Sequence, residues 1–382
     1  MTMSKVLAHD EHSGAHLGQL IWGSIDIGDD KRLAVLDGET LWLAELDGKK
    51  IALLYAPVAT FGQKSGWMLS LAVPPELAAS PIVERFFASV DSTITTSSCY
   101  RGKVLSLGAS GCGPSQPSAA ITVHRLSPVA RDALILPEVT LKAVERNVID
   151  HARNAAALAA RGQSARKGVL FHGPPGTGKT HCIRWLSGAM PGHTVLLISS
   201  EQVVFLDEYM TLARLLQPSL VVIEDVDLIA RERSRQSTPG TESLLNKLLN
   251  EMDGLREDAQ ITFILTTNRP DDIEPAIASR PGRVDQAILI PLPDAACRQR
   301  LLALYGKGAS IDEVTTSEIV RRTDGASAAF IKELLRRASL CAELRKAGAV
   351  VTSNDIDLAL EELIGVGGSI SLKLLGAEGM KS

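Results

Sequence analysis

Apolar residues near the N-terminus form short runs that alternate with turn signals. Two Asp-Gly pairs, at residues 37–38 and 47–48, separate the apolar runs 32–36, 41–46 and 51–55. Asp-Gly between two apolar runs is a strong signal for a two-residue β-hairpin turn. We therefore predict a small N-terminal domain, residues 1–107, that contains a β meander.

Beyond residue 133 the pattern changes to short apolar strands that alternate with helices. A helix is predicted from Pro137 towards Gly162, with Leu141, Val144 and Val148 on its apolar face. Nearly continuous apolar segments predict strands at 169–171, 194–198, 220–223, 261–266 and 287–290. Such strands are typical of a parallel sheet that is buried on both faces. The pattern predicts an α/β fold with a parallel sheet flanked by helices.

Composition along the chain predicts the remaining boundaries. Residues 108–119 are rich in Gly, Pro and Ser and carry no charge, so we predict a linker at 108–132. The α/β core is then expected at 133–290, and a mostly helical segment at 291–364 after Pro291. The Gly-rich residues 365–382 are expected to form a flexible tail.

Composition of the whole chain excludes several classes of protein. The 382 residues are 45% apolar and 22% charged, which is ordinary for a globular protein and argues against a disordered one. The net charge of −4 excludes a strongly basic nucleic-acid or membrane binder as the main class, although it leaves room for a small local basic patch.

Targeting and redox signals point to a cytoplasmic protein. The longest apolar run, residues 51–59, is shorter than the roughly 18 residues that a membrane span needs. The polar N-terminus contains no apolar signal region. The five cysteines show no CxxC spacing, so we expect reduced thiols and no membrane association.

The strongest chemical signal is an eight-residue motif between a predicted strand and a predicted helix. It fits the pattern G-x-x-x-x-G-K-[ST] of a phosphate-binding loop, or P-loop, and consists of Gly173, Pro174, Pro175, Gly176, Thr177, Gly178, Lys179 and Thr180. Glycines let the backbone approach phosphate closely, and successive N–H groups bind its oxygens. We expect Lys179 to reach the β- and γ-phosphates and the Thr180 hydroxyl to hold Mg²⁺.

Polar residues at the ends of two further strands extend this site. Glu224 and Asp225 follow the apolar strand at 220–223, at the end where open α/β sheets bind ligands. One carboxylate there can support Mg²⁺ and the other can polarise an attacking water. Asn268 follows the strand at 261–266 and is expected to orient that water. Arg283 is a candidate for stabilising charge on a transferring phosphoryl group.

Together these motifs resemble an AAA+ ATPase of the classical AAA clade. TTNRPDDIEPAIASRPGRVDQ at 266–286 resembles the second region of homology of that clade, and ESLLNKLLNEMDG at 242–254 resembles the helix that precedes it. TDGASAAFIKELLRRA at 323–338 resembles the start of the helical lid. The resemblance covers about residues 130–363 and leaves the N-terminal 120 residues outside it.

The resemblance implies an Mg²⁺-dependent ATPase that forms a homo-oligomeric ring, usually a hexamer. It implies that Asn268 is sensor 1 and that Arg283 is an arginine finger for the neighbouring subunit. It also implies that the lid contacts the nucleotide near Gly325 and Ala329, with alanine in place of a sensor-2 arginine. The work coupled to hydrolysis would be remodelling of a protein substrate or complex, which residues 1–107 would select.

Three positions depart from the family pattern. The usual Asp-Glu strand end is Glu224-Asp225 here, an order similar to that of the mitochondrial Rieske-protein translocase. An alternative register would use Asp225 and Asp227, which share one face of an extended strand. Gln286 stands where a second finger arginine is frequent, so Arg283 is expected to act alone.

The third departure concerns the central pore. The aromatic-aliphatic-Gly pore loop of unfoldases is absent between the second strand and Leu220. Phe205 is a candidate substitute, but packing of Phe205 and Tyr209 on one helix face, four residues apart, is the better explanation.

Two other functions stay open on the sequence. A basic turn at Arg231, Arg233 and Arg235 is compatible with a nucleic-acid remodeller or loader, whose binding would be strongly salt-dependent. The Glu-Asp order is compatible with a nucleotide-gated scaffold that binds ATP with little turnover.

Overall fold

The computed structural model divides the chain into two compact units, Met1–Arg125 and Leu126–Ser382. The residues that it describes are 2–4, 8–10, 14–16, 22–28, 31–36, 40–46, 48–60, 63–78, 80–97, 99–110, 118–229, 244–273, 283–307, 311–346, 348, 350–366 and 376–377.

The first unit is built from antiparallel strands and two helices. Its strands are β1 (Thr2–Ser4), β2 (Ala8–Asp10), β3 (Gly14–His16), β4 (Trp22–Gly28), β5 (Lys31–Leu36), β6 (Thr40–Leu46), β7 (Lys49–Thr60), β8 (Gln63–Ala72), β9 (Val104–Ser110) and β10 (Ser118–His124). The helices are α1 (Pro75–Ala78) and α2 (Pro81–Thr96). The strands β1, β6, β7 and β8 lie in that order in one sheet, while β2 pairs with β3, β4 with β5 and β9 with β10.

One of the two predicted hairpin turns forms. Leu46 at the end of β6 pairs with Lys49 at the start of β7, as a two-residue turn at Asp47-Gly48 requires. The hairpin predicted at Asp37-Gly38 is wrong, because β5 pairs with β4 and β6 pairs with β1 and β7, in different sheets. An Asp-Gly pair favours a turn locally, but it does not determine which neighbouring strand the next segment joins.

The linker predicted at 108–132 contains strand residues and needs correction. Gly108 pairs with Ala120, and Ser110 pairs with Ser118, so β9 and β10 form an antiparallel ladder through this segment. Small residues are compatible with a strand because the ladder depends on backbone hydrogen bonds, and the larger Leu105 and Leu107 supply the buried side chains. Composition alone therefore misassigned the end of β9 and all of β10 as a linker.

The second unit contains five parallel strands near the predicted positions. They are β11 (Lys167–His172), β12 (Thr194–Ile198), β13 (Ser219–Ile223), β14 (Ile261–Thr267) and β15 (Gln286–Leu289), in the spatial order β12, β13, β14, β11, β15. Every residue of β13 and β14 is buried. Burial on both faces explains why these segments are mostly apolar, so the predicted parallel α/β sheet is confirmed.

The second unit also contains helices before residue 290. They are α3 (Glu138–Val144), a π-helical turn (Glu145–Asp150), α4 (His151–Ala159), α5 (Lys179–Ala189), α6 (Leu206–Leu215) and α7 (Leu244–Asp253). Short 3₁₀ segments lie at Arg131–Ala133 and Ser200–Phe205. The helix predicted from Pro137 is thus continuous from residue 138 to 159, with Leu141, Val144 and Val148 buried as expected.

After residue 290 the described chain is helical. The helices are α8 (Ala295–Tyr305), α9 (Glu313–Arg322), α10 (Ala328–Arg345) and α11 (Ser353–Leu360), followed by a π-helical turn (Glu361–Val366). One apolar cluster joins them, and it includes Leu301, Ile319, Phe330, Leu334 and Leu360. This helical segment matches the predicted all-α region that follows Pro291, although the domain boundary itself stays a prediction.

Two residues of the C-terminal tail pack against other parts of the second unit. Residues 365 and 366 complete the last helical turn, and Gly376 and Ala377 are buried, Ala377 within the apolar cluster of the helical segment. The flexible tail at 365–382 therefore stays a prediction, and the structure adds that Gly376 and Ala377 are buried. The amino-acid composition shows that glycine is abundant in this segment, but it does not predict these contacts.

Two smaller findings concern the rest of the described chain. Cys99, Cys182, Cys297 and Cys341 are free thiols, as predicted for the cysteines that the structure describes. Among the described helices, none combines the length and the apolar character that crossing a membrane demands.

The apolar cluster of the helical segment predicts a contrast between two leucines of α10. Leu334 is fully buried and Leu344 is 80% exposed. Leu334→Ala should lower the free energy of unfolding by about 2–5 kcal/mol, through lost burial and the cavity left behind. Leu344→Ala should change it by less than about 0.5 kcal/mol. Chemical denaturation of both variants measures the difference, and equal effects would show that α10 does not pack as described.

Candidate functional site

The P-loop lies between β11 and α5, as its sequence context predicted. Gly173, Gly176 and Gly178 all have positive φ values, between 73° and 145°, which L-residues with a Cβ rarely adopt. A Cβ on Gly176 would lie 2.7 Å from Ser327 Oγ and 2.9 Å from the Ala329 Cβ. The loop is therefore packed directly against the start of α10, and the Ala329 N–H donates to the Gly176 carbonyl at 3.1 Å.

Lys179 is buried at the centre of the loop, with 7% of its surface exposed. Its Nζ donates to the carbonyls of Gly173 at 2.8 Å and Pro174 at 2.9 Å. Burial lowers the pKa of Lys179 to about 8, and the charges of Asp225 and Asp227 partly oppose this shift. The ammonium group is thus held inside the loop by backbone oxygens and is placed among the groups that would contact phosphate.

Glu224 connects the end of β13 to the P-loop. The Thr180 hydroxyl donates to Glu224 Oε1 at 2.9 Å. Hydroxyl and carboxylate oxygens are the ligands that Mg²⁺ prefers, so the two residues that the sequence assigned to the metal form a suitable donor set. The glutamate side chain thus spans from the end of β13 to the start of α5.

Asp225 occupies the position next to Glu224 and faces a neighbouring strand end. Asn268 Nδ2 donates to Asp225 Oδ1 at 3.1 Å, and the Asp225 N–H donates to Thr266 Oγ1 at 3.0 Å. Asp225 has a φ of 51°, which is uncommon for a residue other than glycine. Burial raises the pKa of Asp225 and nearby Asp227 raises it further, whereas Lys179 and the Asn268 hydrogen bond lower it. Strain and a raised pKa at one carboxylate are typical of a functional position.

Asp227 has a different role from its neighbours. It is 4% exposed, and its Oδ1 accepts from the Thr267 hydroxyl at 2.8 Å and from the Asn268 N–H at 3.3 Å. Both hydrogen bonds fix the strand end that carries Asn268. This arrangement favours Glu224-Asp225 over the alternative register Asp225-Asp227, because the Asp227 carboxylate serves the loop after β14.

A cavity of about 410 Å³ adjoins these groups. Six of its lining residues belong to the predicted loop, from Pro175 to Thr180, and Asp225, Asn268 and Ala329 of the predicted site also line it. Residues that sequence reasoning missed form the remaining walls: Ala133, Leu134, Ile135, Leu136, His181, Thr266, Leu301, Tyr305, Ala328 and Lys332. Thr266, Ala328 and Lys332 lie inside the family-like segments 266–286 and 323–338, but the sequence assigned them no role, and most of the other residues contribute only apolar surface. Gly325 is not among the lining residues.

Arg283 lies away from this cavity. It lines a second cavity of about 230 Å³, and its guanidinium group forms an ion pair with Asp253, to which Nε donates at 2.8 Å. Nη2 also donates to Asn250 Oδ1 at 3.1 Å. The side chain is 2% exposed, and Nη1 is buried with no hydrogen-bond partner among the described residues. Within one chain, therefore, Arg283 is bound to the end of α7 and not to the P-loop.

Two further sequence predictions have clear outcomes. Phe205 and Tyr209 are both buried, and the Tyr209 hydroxyl donates to the Leu197 carbonyl at 2.9 Å, so the packing explanation is confirmed. The basic turn with Arg231, Arg233 and Arg235 lies outside the described residues.

Comparison with known proteins agrees with this geometry. Residues 169–292 match the family described as ATPase family associated with various cellular activities (AAA). The chain is 35% identical over 229 residues to the ATP-dependent zinc metalloprotease FtsH of Mesomycoplasma conjunctivae, covering 56% of this chain and 30% of that protein. It is 30% identical over 273 residues to the FtsH of Thermus thermophilus, covering 66% and 43%.

A third relative has a different name. The proteasome-activating nucleotidase of Methanothermobacter thermautotrophicus is 33% identical over 215 residues, covering 52% of this chain and 51% of that protein. The chain thus spans between 30% and 51% of the length of these three relatives.

In the described part of the chain, no group of three or more His, Cys, Asp or Glu residues is arranged to hold a metal ion.

The contacts of Asp227 predict that it stabilises the fold. Asp227→Ala leaves the Thr267 hydroxyl and the Asn268 N–H without their acceptor, so the free energy of unfolding should fall by about 1–3 kcal/mol. Asp258→Ala removes an exposed carboxylate and should change it by less than about 0.5 kcal/mol. Denaturant titration of both variants tests this, and an unchanged midpoint for Asp227→Ala would contradict the assigned role.

Proposed function

We propose that the chain carries an AAA+ ATPase domain of the classical clade, and that it binds ATP and hydrolyses it with Mg²⁺. The observation that carries this proposal is the meeting of three strand ends beside one cavity. Thr180 contacts Glu224 at 2.9 Å and Asn268 contacts Asp225 at 3.1 Å, next to the buried ammonium of Lys179. A loop for phosphate, an oxygen donor pair for a cation and a carboxylate with an amide for water are the components of phosphoryl transfer to water.

Each group has a role in the proposed mechanism. The backbone N–H groups of the P-loop and Lys179 bind the phosphates. Thr180 and Glu224 would hold Mg²⁺, which on binding would neutralise charge on the phosphate oxygens. Asn268 and Asp225 orient a water in line with the γ-phosphate, and Asp225 accepts its proton as the bond to the leaving ADP oxygen breaks.

The cavity supports ATP as the ligand and the helical segment as a lid. The apolar walls at 133–136 and at Leu301 suit a purine base, and they lie beside the loop that would bind the phosphates. The Ala329 N–H donates directly to the Gly176 carbonyl, so movement of α10 and movement of the P-loop are linked. We propose that lid motion converts hydrolysis into mechanical work.

We further propose that the chain acts as a homo-oligomeric ring, with a hexamer as the expected size, in which Arg283 reaches the neighbour's nucleotide. In that arrangement the ion pair between Arg283 and Asp253 opens when the finger extends. A buried guanidinium with one nitrogen unpaired supports this role, because the described residues of the chain satisfy only part of its hydrogen-bonding capacity.

Protein remodelling is the proposed use of this cycle. The names of the relatives, an ATP-dependent metalloprotease and a proteasome-activating nucleotidase, describe work on proteins. Residues 1–107 are the proposed selector of the substrate. Phe205 and Tyr209 are buried, so the proposal does not include substrate threading by an aromatic pore loop.

Variants of two charged residues test ATP binding and hydrolysis separately. Asp225→Asn should retain ATP binding and lower turnover by about 10²-fold or more, since it removes the proton acceptor. Lys179→Ala should lose ATP binding itself. Mg²⁺-dependent phosphate release and equilibrium nucleotide binding measure the two properties, with Asp258→Asn as the control. Absence of turnover in the wild-type protein at every concentration would favour a nucleotide-gated scaffold and reject the ATPase proposal.

Mixing two inactive variants tests the role of Arg283 in trans. Arg283→Ala and Lys179→Ala should each lose turnover, since an arginine finger contributes about 10³–10⁵ in rate. A mixed ring recreates complete sites where a subunit with an intact P-loop meets a neighbour with Arg283, at about a quarter of the sites for random mixing.

Asp253→Asn is the matched control, because it removes the charge partner of Arg283 and leaves the finger in place. If Arg283 is only structural, Asp253→Asn and Arg283→Ala should lower the melting temperature and the activity in parallel. Mixed oligomers that form without any recovered turnover would reject the trans finger.

A further inference from the structure

Two residues near the C-terminus lie against the P-loop. Gly376 and Ala377 are both buried, and Ala377, at 1% exposure, packs into the apolar cluster of the lid. The Gly376 carbonyl accepts a hydrogen bond from the Ser327 N–H at 3.1 Å. A Cβ on Gly376 would overlap the carbonyl oxygen of Pro175, so the backbone of the tail touches the backbone of the P-loop.

The residues that this segment contacts belong to the nucleotide site on both sides. Pro175 lines the cavity as part of the P-loop. Ser327 caps α10, because its Oγ accepts from the Phe330 N–H at 3.1 Å. The next two residues of that helix, Ala328 and Ala329, also line the cavity. The tail therefore lies at the junction where the lid meets the P-loop.

Only glycine fits at position 376. Its φ is +64°, in the left-handed region, and a Cβ there would also lie 3.1 Å from the Ser327 Cβ. The atom that a Cβ would overlap is a backbone carbonyl, which no side-chain rotation can move aside. A larger residue at 376 must therefore displace the tail or the P-loop.

We propose that Gly376 and Ala377 form a C-terminal strap that positions the P-loop against the lid for nucleotide binding. This inference rests on the proposed function, because the P-loop and lid are taken to bind ATP. The strap holds Pro175 and the N-terminus of α10 in the arrangement that lines the cavity. Seating of the tail and binding of nucleotide then stabilise each other, and by linkage the coupling is the same in both directions.

The proposal differs in its consequences from simple stabilisation of the lid. A structural role alone would lower the melting temperature of a strap variant and leave the ATP affinity of the folded protein unchanged. If the strap instead positions the P-loop, only a minor fraction of the molecules of a strap variant adopt the binding-competent arrangement. The apparent affinity then falls by the factor by which that state is depopulated, about tenfold if one molecule in ten keeps the strap seated.

Gly376→Val in the full-length chain is the direct test. It should raise the Kd for ATP and the KM for turnover about tenfold, and kcat at saturating ATP should change by less than about twofold. Gly348→Val is the matched control, because Gly348 has a φ of +70° and no described atom would lie within 4 Å of a Cβ added there. It carries the same backbone strain without the overlap, and its ATP affinity should stay at the wild-type value.

Truncations provide a second set of variants in case Gly376→Val does not fold. A chain ending at Ala377 retains the strap and should bind ATP like the full chain. A chain ending at Val366 lacks the strap and should bind about tenfold more weakly. Equal affinities for the two truncated proteins would overturn the proposal.

Hydrogen exchange in the wild-type protein tests the reverse direction without any variant. Saturating ATPγS, a slowly hydrolysed analogue of ATP, should slow exchange at the backbone amides of Gly376 and Ala377. Unchanged exchange there, in a protein that binds the analogue, would overturn the strap alone. Failure of the wild-type protein to bind ATP at all would instead reject the proposed function.

Discussion

The register of three neighbouring parallel strands is the constraint on which the candidate site depends. Leu265 in β14 pairs with Ile223 of β13 on one side and with Leu170 of β11 on the other. The three strands consequently end at the same edge of the sheet, β13 two residues before β11 and β14, and the residues that follow them meet. Slippage by one residue would turn each side chain to the opposite face of the sheet and would separate Asn268 from Asp225.

The buried strands make this register hard to change. Because β13 and β14 are mostly apolar and buried on both faces, a slipped strand would expose large side chains at one end and bury polar residues at the other. The hydrophobic core therefore fixes the positions of groups that contribute nothing to it. The packing of the apolar strands thus determines where the polar site residues lie.

Burying charged groups at this edge of the core costs free energy, which local hydrogen bonds offset. Lys179 is buried and its pKa is lowered, yet two loop carbonyls accept from its ammonium group. Asp225 adopts an uncommon backbone conformation, and Thr266 and Asn268 bind it there. A phosphate ligand would exchange the carbonyl contacts of Lys179 for stronger charge-assisted hydrogen bonds. The backbone strain at Asp225 and the burial of Lys179 thus preorganise the site before an anionic ligand binds.

The sequence by itself determined the parallel α/β core, the P-loop and the identity of Glu224, Asp225 and Asn268 as candidate site residues. These depend on local features, namely short apolar runs and motifs whose residues are contiguous or directly follow a strand. Only the tertiary structure decided that β5 and β6 belong to different sheets, that Arg283 pairs with Asp253 and that the tail reaches Pro175. Each of those contacts joins residues without a shared local pattern, because partners distant in the sequence are selected by the packing of the whole fold.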